Sequence, residues 1–469
     1  MLFQISSLVL NINNRVIALE SYVTPDYIIR EQSLLNYYMS LFKQFHSFGP
    51  SDMFDIANSI EYTQTLLNDS VAHTFISDKH PTVGIVMPTK DRLYVIRNAI
   101  DSVLQQSYSY WKLYIIDDHS TDGTLEILSK EYDDDRICWI SSPGHGASAA
   151  RNAGLTSLTS DIEFVAYLYS DNEWTPDYLQ VMLCALQKEN ASCGYAVQEL
   201  HSYAVAKSGT REKIISYRNT KFDYCALLSD NYIDMNIFVH KLDLFKKLGG
   251  FDEKLKRCVD WDLILRYSRN NKTIFVNYIG VHYNNDDHVS RITTTEKQNA
   301  INYIHNKHII DWHYLSTTVA QRELNLCSII MCITSSDHLC VNTALKNIDF
   351  LSSHIYKKLE VIIIDNTQDN DKANMLDEIK QNSGLNITMM RLPMHICSVP
   401  FANNLGFAIS QGAEVIFLTT KLEDNNNIML DFQKRKLNKD ISPRLTEDNV
   451  CFDAAEFIAC KGFDCLSDA

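Results

Sequence analysis

The chain has 469 residues, room for about three folding units at roughly 150 residues each. Acidic residues outnumber basic ones by 58 to 43, and the net charge of −15 argues against a general nucleic-acid binder, which needs a basic face. A composition of 45% hydrophobic and 22% charged residues, with only 15 Gly and 9 Pro, excludes a disordered or fibrous chain. No apolar run approaches the roughly 18 to 20 residues that span a bilayer, and Met1-Leu2-Phe3-Gln4 lacks the basic and apolar regions of a leader, so a cytoplasmic protein is expected. Twelve Cys without a Cys-x-x-Cys pair read as buried apolar residues, not as a disulfide frame or zinc site.

Residues 1–78 carry no evident chemistry. Leu34, Leu35, Tyr38, Leu41, Phe42 and Phe45 recur at helical spacing, which predicts an amphipathic helix packed on a neighbouring domain. Its polar face is not basic enough for a membrane-surface helix.

From Thr82 the pattern changes. Val83-Gly84-Ile85-Val86-Met87 is a buried-strand pattern closed by Pro88, and helical spacing follows over 95–104. A second strand, Leu113-Tyr114-Ile115-Ile116, ends in Asp117-Asp118, and Thr121-Asp122-Gly123 turns into a helix over 124–130. A third, over 164–168, ends in Tyr169-Ser170-Asp171-Asn172. Strands alternating with helices imply a mostly parallel sheet covered on both faces, with ligands bound beyond the carboxyl ends of the strands, where these acids lie.

The pattern recurs. Leu359-Glu360-Val361-Ile362-Ile363-Ile364-Asp365-Asn366 echoes 113–118, Ala402-Asn403-Asn404-Leu405-Gly406 echoes 150–154, Lys421 falls opposite Asp171, and Lys461-Gly462-Phe463-Asp464 echoes 249–252. Two copies of one α/β domain are therefore expected: 79–296 and a degenerate, apparently truncated 324–469. A helical linker over 297–323 joins them, and its His305, His308 and His313 are expected to be solvated. In the second copy Asp118, Arg151 and Asp171 become Asn366, Asn403 and Lys421, and the chain ends at Ala469 before any counterpart of Asp260, so that copy is expected to be catalytically silent.

The ordered motifs Val-Met-Pro-Thr-Lys-Asp-Arg (86–92), Ile-Ile-Asp-Asp-His-Ser-Thr-Asp-Gly-Thr (115–124), Ala-Arg-Asn-Ala-Gly (150–154), Tyr-Ser-Asp-Asn (169–172), Gly-Gly-Phe-Asp-Glu-x-Leu (249–255) and Val-Asp-Trp-Asp-Leu (259–263) resemble the family 2 glycosyltransferases of the GT-A fold over about 80–295. The likeness extends to bacterial multi-domain members that build surface polysaccharides or protein-linked glycans, whose acceptor region resembles residues 231–240. It implies an α/β, Rossmann-like nucleotide-diphospho-sugar transferase domain and a second, degenerate GT-A-like domain. It also implies an inverting, metal-dependent transfer from a UDP-sugar to a glycan, lipid-linked or protein-linked acceptor at the inner face of the membrane. Peripheral association with the membrane or with partner transferases is compatible with that role. A nucleotide-sugar-binding scaffold without catalysis is the alternative.

The resemblance assigns roles residue by residue. Asp171 would hold Mn²⁺ or Mg²⁺, with a turn-forming Asp as the plainer reading and Tyr169 standing where relatives carry a first acid. Asp118 would accept the imide N–H of the base, although Asp117 or Asp118 also suits a helix cap. Pro88, Thr89, Arg92, Arg151 and Ser170 would line the nucleotide sugar, Arg151 having a surface ion pair as its alternative. Asp260 is the candidate base, with Asp252 and Asp262 as competing acids that also read as turn and helix-start residues. His282 and His288 are candidates for closing the site over the diphosphate or for a solvated loop, while His145, between Gly144 and Gly146, reads as incidental.

Overall fold

The computed structural model describes residues 31–72, 80–205, 211–284, 294–334, 341–353, 359–367, 370–393, 398–418 and 450–465. His288 and Lys421 lie outside the described residues. Contacts divide the chain into two units, one including His46–Thr293 and the other Thr294–Ala469 together with Val23–Phe45. Of the stretch 1–78, read from sequence as one region, residues 31–45 fall in the second unit and 46–72 in the first, and 297–323 belongs to the second.

The first unit carries β1 (Thr82–Thr89), β2 (Trp111–Asp117), β3 (Ile137–Ser141), β4 (Ile162–Tyr167), β5 (Glu173–Trp174), β6 (Cys193–Val205), β7 (Arg211–Arg218), β8 (Phe238–Lys241) and β9 (Thr273–Asn284). They form one sheet in the order β3-β2-β1-β4-β8-β6-β9-β5, with β7 paired to β6. β1 runs parallel to β2 and β4, and β2 parallel to β3. Val83, Ile85, Val86 and Met87 are fully buried, the continuous apolar run expected of a strand covered on both faces. The segment 164–168 is part of the fourth strand and not the third, because Ile137–Ser141 adds itself to the sheet beside β2 behind the acidic run Asp133-Asp134-Asp135.

Helices Ile96–Leu104, Thr124–Glu131 and Ala147–Ser157 connect these strands. The last of them packs close to the sheet at Gly154, where a Cβ would stand 2.6 Å from Ile116 Cδ1 and 2.7 Å from Val86 Cγ1. Only glycine permits that approach.

In the second unit, β10 (Glu323–Thr334), β11 (Leu359–Asn366), β12 (Asn386–Arg391), β13 (Gly412–Leu418) and β14 (Val450–Asp453) order as β12-β11-β10-β13-β14. β14 alone is antiparallel to its neighbour, as β8 is to β4. This is the order β3-β2-β1-β4-β8 of the first unit, so the sequence repeat is a repeat of topology. Gly406 answers to Gly154, its virtual Cβ lying 2.6 Å from Ile330 Cγ2.

A side-chain clamp is also duplicated. Asn152 Oδ1 accepts the Phe251 N–H at 2.7 Å while its Nδ2 donates to the Phe251 carbonyl at 3.0 Å. Asn404 does the same for Phe463, at 2.8 and 3.0 Å.

Helix Glu31–Lys43 belongs to the second unit, with Tyr38, Leu41 and Phe42 buried, as its spacing predicts. The expectation of solvated histidines holds for His313 but fails for His305 and His308, which are buried. His305 sits between Phe45 and Phe401, with ring centroids 5.8 and 6.0 Å away. Apolar neighbours from distant parts of the chain, invisible to local spacing, account for the difference. Among the described residues, no disulfide forms, six of nine Cys are buried, and no helix is long and apolar enough to cross a membrane.

Candidate active site

Two of the acids named from sequence, Asp118 and Asp171, follow the carboxyl ends of β2 and β4, and Asp260 lies on a helix further along the chain. Asp118, just beyond β2, is buried and donates its backbone N–H to the Thr89 carbonyl at 2.8 Å. Both its carboxylate oxygens accept the Gly146 N–H, at 3.1 and 3.0 Å. Gly146 has φ +92° and ψ 161°, a conformation open to glycine and costly for other residues, so the loop before helix Ala147–Ser157 can present this N–H. Lys90 Nζ lies 3.6 Å from Asp118, and His119 Nδ1 3.4 Å.

Neither acid of the Asp117-Asp118 pair caps the next helix. Asp117 accepts the Ser120 N–H at 3.1 Å, and Asp122 takes the Thr124 N–H at 3.0 Å. His145 stacks against His119 at 4.2 Å, so sequence reasoning passed over a histidine that stands beside the proposed base-binding carboxylate. Asp118, His119 and His145 form one of two groups among the described residues whose ligand atoms are close enough to share a metal ion.

Beyond β4 the chain turns at Tyr169, Ser170, Asp171 and Asn172, closed by the Asn172 N–H on the Tyr169 carbonyl at 3.1 Å. The turn reading of Asp171 is thus correct as local structure, and it leaves the carboxylate available. Asp171 Oδ1 accepts Asn172 Nδ2 at 3.0 Å. Burial raises the Asp171 pKa and the Asp234 carboxylate adds to the rise, while the Arg92 guanidinium opposes it. Ser170 and Thr89 are buried, Pro88 and Arg92 half-buried, and Thr89 Oγ1 and Asp117 Oδ1 have no partner.

Arg151 extends from helix Ala147–Ser157 and is only 6% exposed, which rules out a surface ion pair. Its guanidinium lies over the Tyr169 ring at 4.8 Å and the Phe251 ring at 5.3 Å. Its Nε and Nη1 make no hydrogen bond. Buried donors of this kind ordinarily find a partner, so the two on Arg151 are the feature of this site that calls for one.

Asp260 lies in the first turn of helix Val259–Ser268, which follows Cys258 at φ +55°. Its Oδ1 accepts the Trp261 N–H at 2.9 Å, and Asn231 Nδ2 lies 3.4 Å away. Burial and, next, the Asp234 charge raise its pKa, against the Trp261 N–H, Arg151 and Asn231. The competing acids are engaged elsewhere: Asp262, fully buried, receives Arg266 Nε at 2.9 Å, and Asp252 accepts the Lys254 N–H at 3.1 Å.

Asp234 is the residue that sequence reasoning did not single out. Its Oδ1 accepts Asn236 N and Nδ2 at 2.8 and 2.6 Å, and Asn236 Oδ1 in turn accepts the Tyr169 N–H at 2.6 Å. It therefore holds the turn carrying Asp171 while raising the pKa of both Asp171 and Asp260. The signal was present in residues 231–240, which had been read as an acceptor segment without assigning the acid.

His282 is placed on β9 with its Nδ1 3.0 Å from Glu199, engaged there with Glu199 and His201. Two residues on, Asn284 donates its N–H to Asn172 Oδ1 at 3.0 Å and its side-chain amide to the Asp171 carbonyl at 3.2 Å.

Asp171 offers one hard carboxylate oxygen, a donor type that Mg²⁺ or Mn²⁺ accepts, and among the described residues it belongs to neither group of three close metal-ligating side chains.

Residues 84–241 match the family model described as glycosyl transferase family 2. The chain is 29% identical over 204 residues to an uncharacterised glycosyltransferase of Rickettsia typhi, covering 42% of this chain and 61% of that protein. It is 34% identical over 120 residues to the UDP-Glc:alpha-D-GlcNAc-diphosphoundecaprenol beta-1,3-glucosyltransferase WfgD of Escherichia coli, covering 25% of this chain and 46% of that one. The structure of S. aureus TarS 1–349 in complex with UDP-GlcNAc aligns with a TM-score of 0.40 and 16% identity, over 51% of this chain and 71% of TarS 1–349. The chain thus spans less than two thirds of the length of the two curated relatives named. The first unit thus contains a region, residues 84–241, that matches glycosyltransferase family 2, and the strand order β3-β2-β1-β4-β8 of that unit recurs in the second.

Proposed function

We propose that the first unit is a glycosyltransferase of bacterial surface polysaccharide or glycoprotein assembly, moving a sugar from a nucleoside-diphosphate donor to a glycan acceptor with inversion. The observation that carries this reading is Arg151: a buried guanidinium with two unfilled donors, next to Asp260 and beside the turn bearing Asp171. The name of the Escherichia coli relative, with a UDP-glucose donor and a diphosphoundecaprenol-linked acceptor, supports UDP-sugar as donor class and a lipid-linked acceptor.

The residues divide the work. Asp118 accepts the imide N–H of the base, its carboxylate fixed by Gly146. Arg151 donates to the diphosphate in a site poor in water, where each charge-assisted hydrogen bond counts for more. Asp171 holds the divalent cation, which when bound neutralises charge growing on the leaving diphosphate. Asp260 takes the proton of the acceptor hydroxyl, and its raised pKa makes it a stronger base than an ordinary carboxylate. Tyr169, in the place of a first acid, contributes its ring to Arg151 and no charge to the metal. The second unit takes no part in the chemistry, since Asn366 and Asn403 stand where Asp118 and Arg151 do.

The test is a panel of nucleotide sugars with Mn²⁺, read as released nucleoside diphosphate and product anomeric configuration. Asp260→Asn should lower turnover by about a hundredfold or more with donor binding near normal. Near-native turnover of that variant removes Asp260 as base, and a retained configuration removes the single displacement. A protein that binds donors yet releases nothing with any acceptor is a scaffold.

A further inference from the structure

Along the strands that lead to the Asp171 turn, β6 and β9 bring three metal-ligating side chains together. Glu199 on β6 is in register with His282 on β9 and with Tyr217 on β7. His201, two residues along β6, points to the same side as Glu199, since side chains alternate along a strand. His201 Nε2 stands 2.5 Å, and His282 Nδ1 3.0 Å, from the same oxygen, Glu199 Oε1. The two imidazoles face each other with centroids 5.4 Å apart at 24°.

We propose that Glu199, His201 and His282 form a second cation site, specific for a divalent first-row transition ion of the zinc class and separate from the hard-cation site at Asp171. Two ring nitrogens and one carboxylate suit such an ion, whereas Mg²⁺ prefers oxygen alone. Their ligand atoms all lie within 4.8 Å of one another. Neighbouring donors around a tetrahedral zinc with bonds of about 2.0–2.1 Å are about 3.3 Å apart. Seating an ion therefore means opening the two His–Glu contacts by less than ~1 Å, with each imidazole binding through an unprotonated ring nitrogen.

Access and support are both present. His201 and Glu199 side chains are 13% and 14% exposed while His282 is 40% exposed, which leaves an open side for the ion and a fourth, non-protein ligand. Support comes from the sheet, where Glu199 is in register with Tyr217 on β7 and His282 on β9. The ion ties β6 to β9 just before Asn284, which holds the Asp171 turn by two hydrogen bonds. Its role is therefore to brace the strand end behind the donor site, without entering the reaction.

Titrating the full, metal-free chain with Co²⁺ tests the site by visible absorption. One equivalent should give the d–d bands of a low-coordinate nitrogen/oxygen site, without a sulfur charge-transfer band. His201→Ala and His282→Ala should each weaken binding at least ~10- to 100-fold. Asp171→Ala and His145→Ala should leave it unchanged, which separates this site from the donor-site metal and from the Asp118 group. X-ray absorption of the unmodified protein loaded with one equivalent of Zn²⁺ avoids dependence on variants that misfold, and should resolve two imidazoles and no sulfur. One equivalent of Zn²⁺ should also raise Tm in the native chain and not in the His282 variant. Absence of stoichiometric binding, sulfur ligation, or affinity unchanged in both histidine variants overturns the proposal.

Discussion

Arg151→Met is the sharpest test of the donor site, because it separates stability from binding. In the donor-free protein the two unpartnered N–H groups of a buried guanidinium cost about 2–4 kcal/mol together. Against that cost stand the Tyr169 and Phe251 rings at 4.8 and 5.3 Å, which return about 1–2 kcal/mol. Attraction to the Asp260 carboxylate adds to that return. Methionine keeps the apolar stem and fills the space flexibly. These contributions nearly cancel, so the variant should unfold within about 1–2 kcal/mol of the native protein, a few degrees in Tm. An ordinary buried, paired arginine loses about 3–5 kcal/mol on removal of its charge. The donor, however, loses two charge-assisted hydrogen bonds of about 1.5–3 kcal/mol each, so its affinity should fall at least ~100-fold. Thermal unfolding without ligand and calorimetric titration of UDP or a UDP-sugar measure the two quantities. A loss of 3 kcal/mol or more in the free protein, or donor affinity within threefold of native, would refute the anion-site reading.

Asp171→Ala should abolish most turnover and remove the Mn²⁺-dependent part of nucleotide binding, while the metal-independent part persists; calorimetry with and without Mn²⁺ decides, and unchanged Mn²⁺ dependence would leave Asp171 a turn residue only. A base must be ionised, and the Asp260 pKa is raised, so the acid limb of kcat/KM should lie above the ordinary carboxylate value of about 3.9. Asp234→Asn removes a like charge but can still accept from Asn236, so it should move that limb to lower pH; a pH–rate profile shifted upward or not at all removes Asp234 from the electrostatics.

The fold was legible where local pattern decides it. Residues 83–87, 113–116 and 164–168 announce buried strands because both faces of a parallel strand are covered, and the acids at their ends fall where such sheets bind ligands. Long-range pairing left no such trace. The Glu199–His282 contact joins residues 83 apart through strand register, which no local spacing encodes. His305 looked solvated because its burial partners, Phe45 and Phe401, come from the two far sides of the sequence. In the proposed site, Arg151 and Asp260 were named through motifs, whereas Asp234 acts through Asn236 on the Tyr169 backbone, a relay that only coordinates reveal.

What the second unit keeps indicates what it is for. It has exchanged Asp118 for Asn366 and Arg151 for Asn403, yet it retains the next residue, Asn404, in the same clamp that Asn152 makes in the first unit. The clamp does no chemistry. It satisfies the N–H and carbonyl of a buried phenylalanine at the turn after Gly250 or Gly462, and Phe251 and Phe463 are 4% and 2% exposed. Asn404 also donates to Asn306 Oδ1 at 2.9 Å. Asn404→Ala leaves these buried groups without partners at about 1–3 kcal/mol each, so it should destabilise the second unit by about 3 kcal/mol in denaturant unfolding. UDP affinity in the first unit should stay native under folding conditions, unlike in Arg151→Met. If Asn404→Ala lowers UDP affinity as far as Arg151→Met does while the chain remains folded, the second unit contributes to donor binding and its silence is disproved.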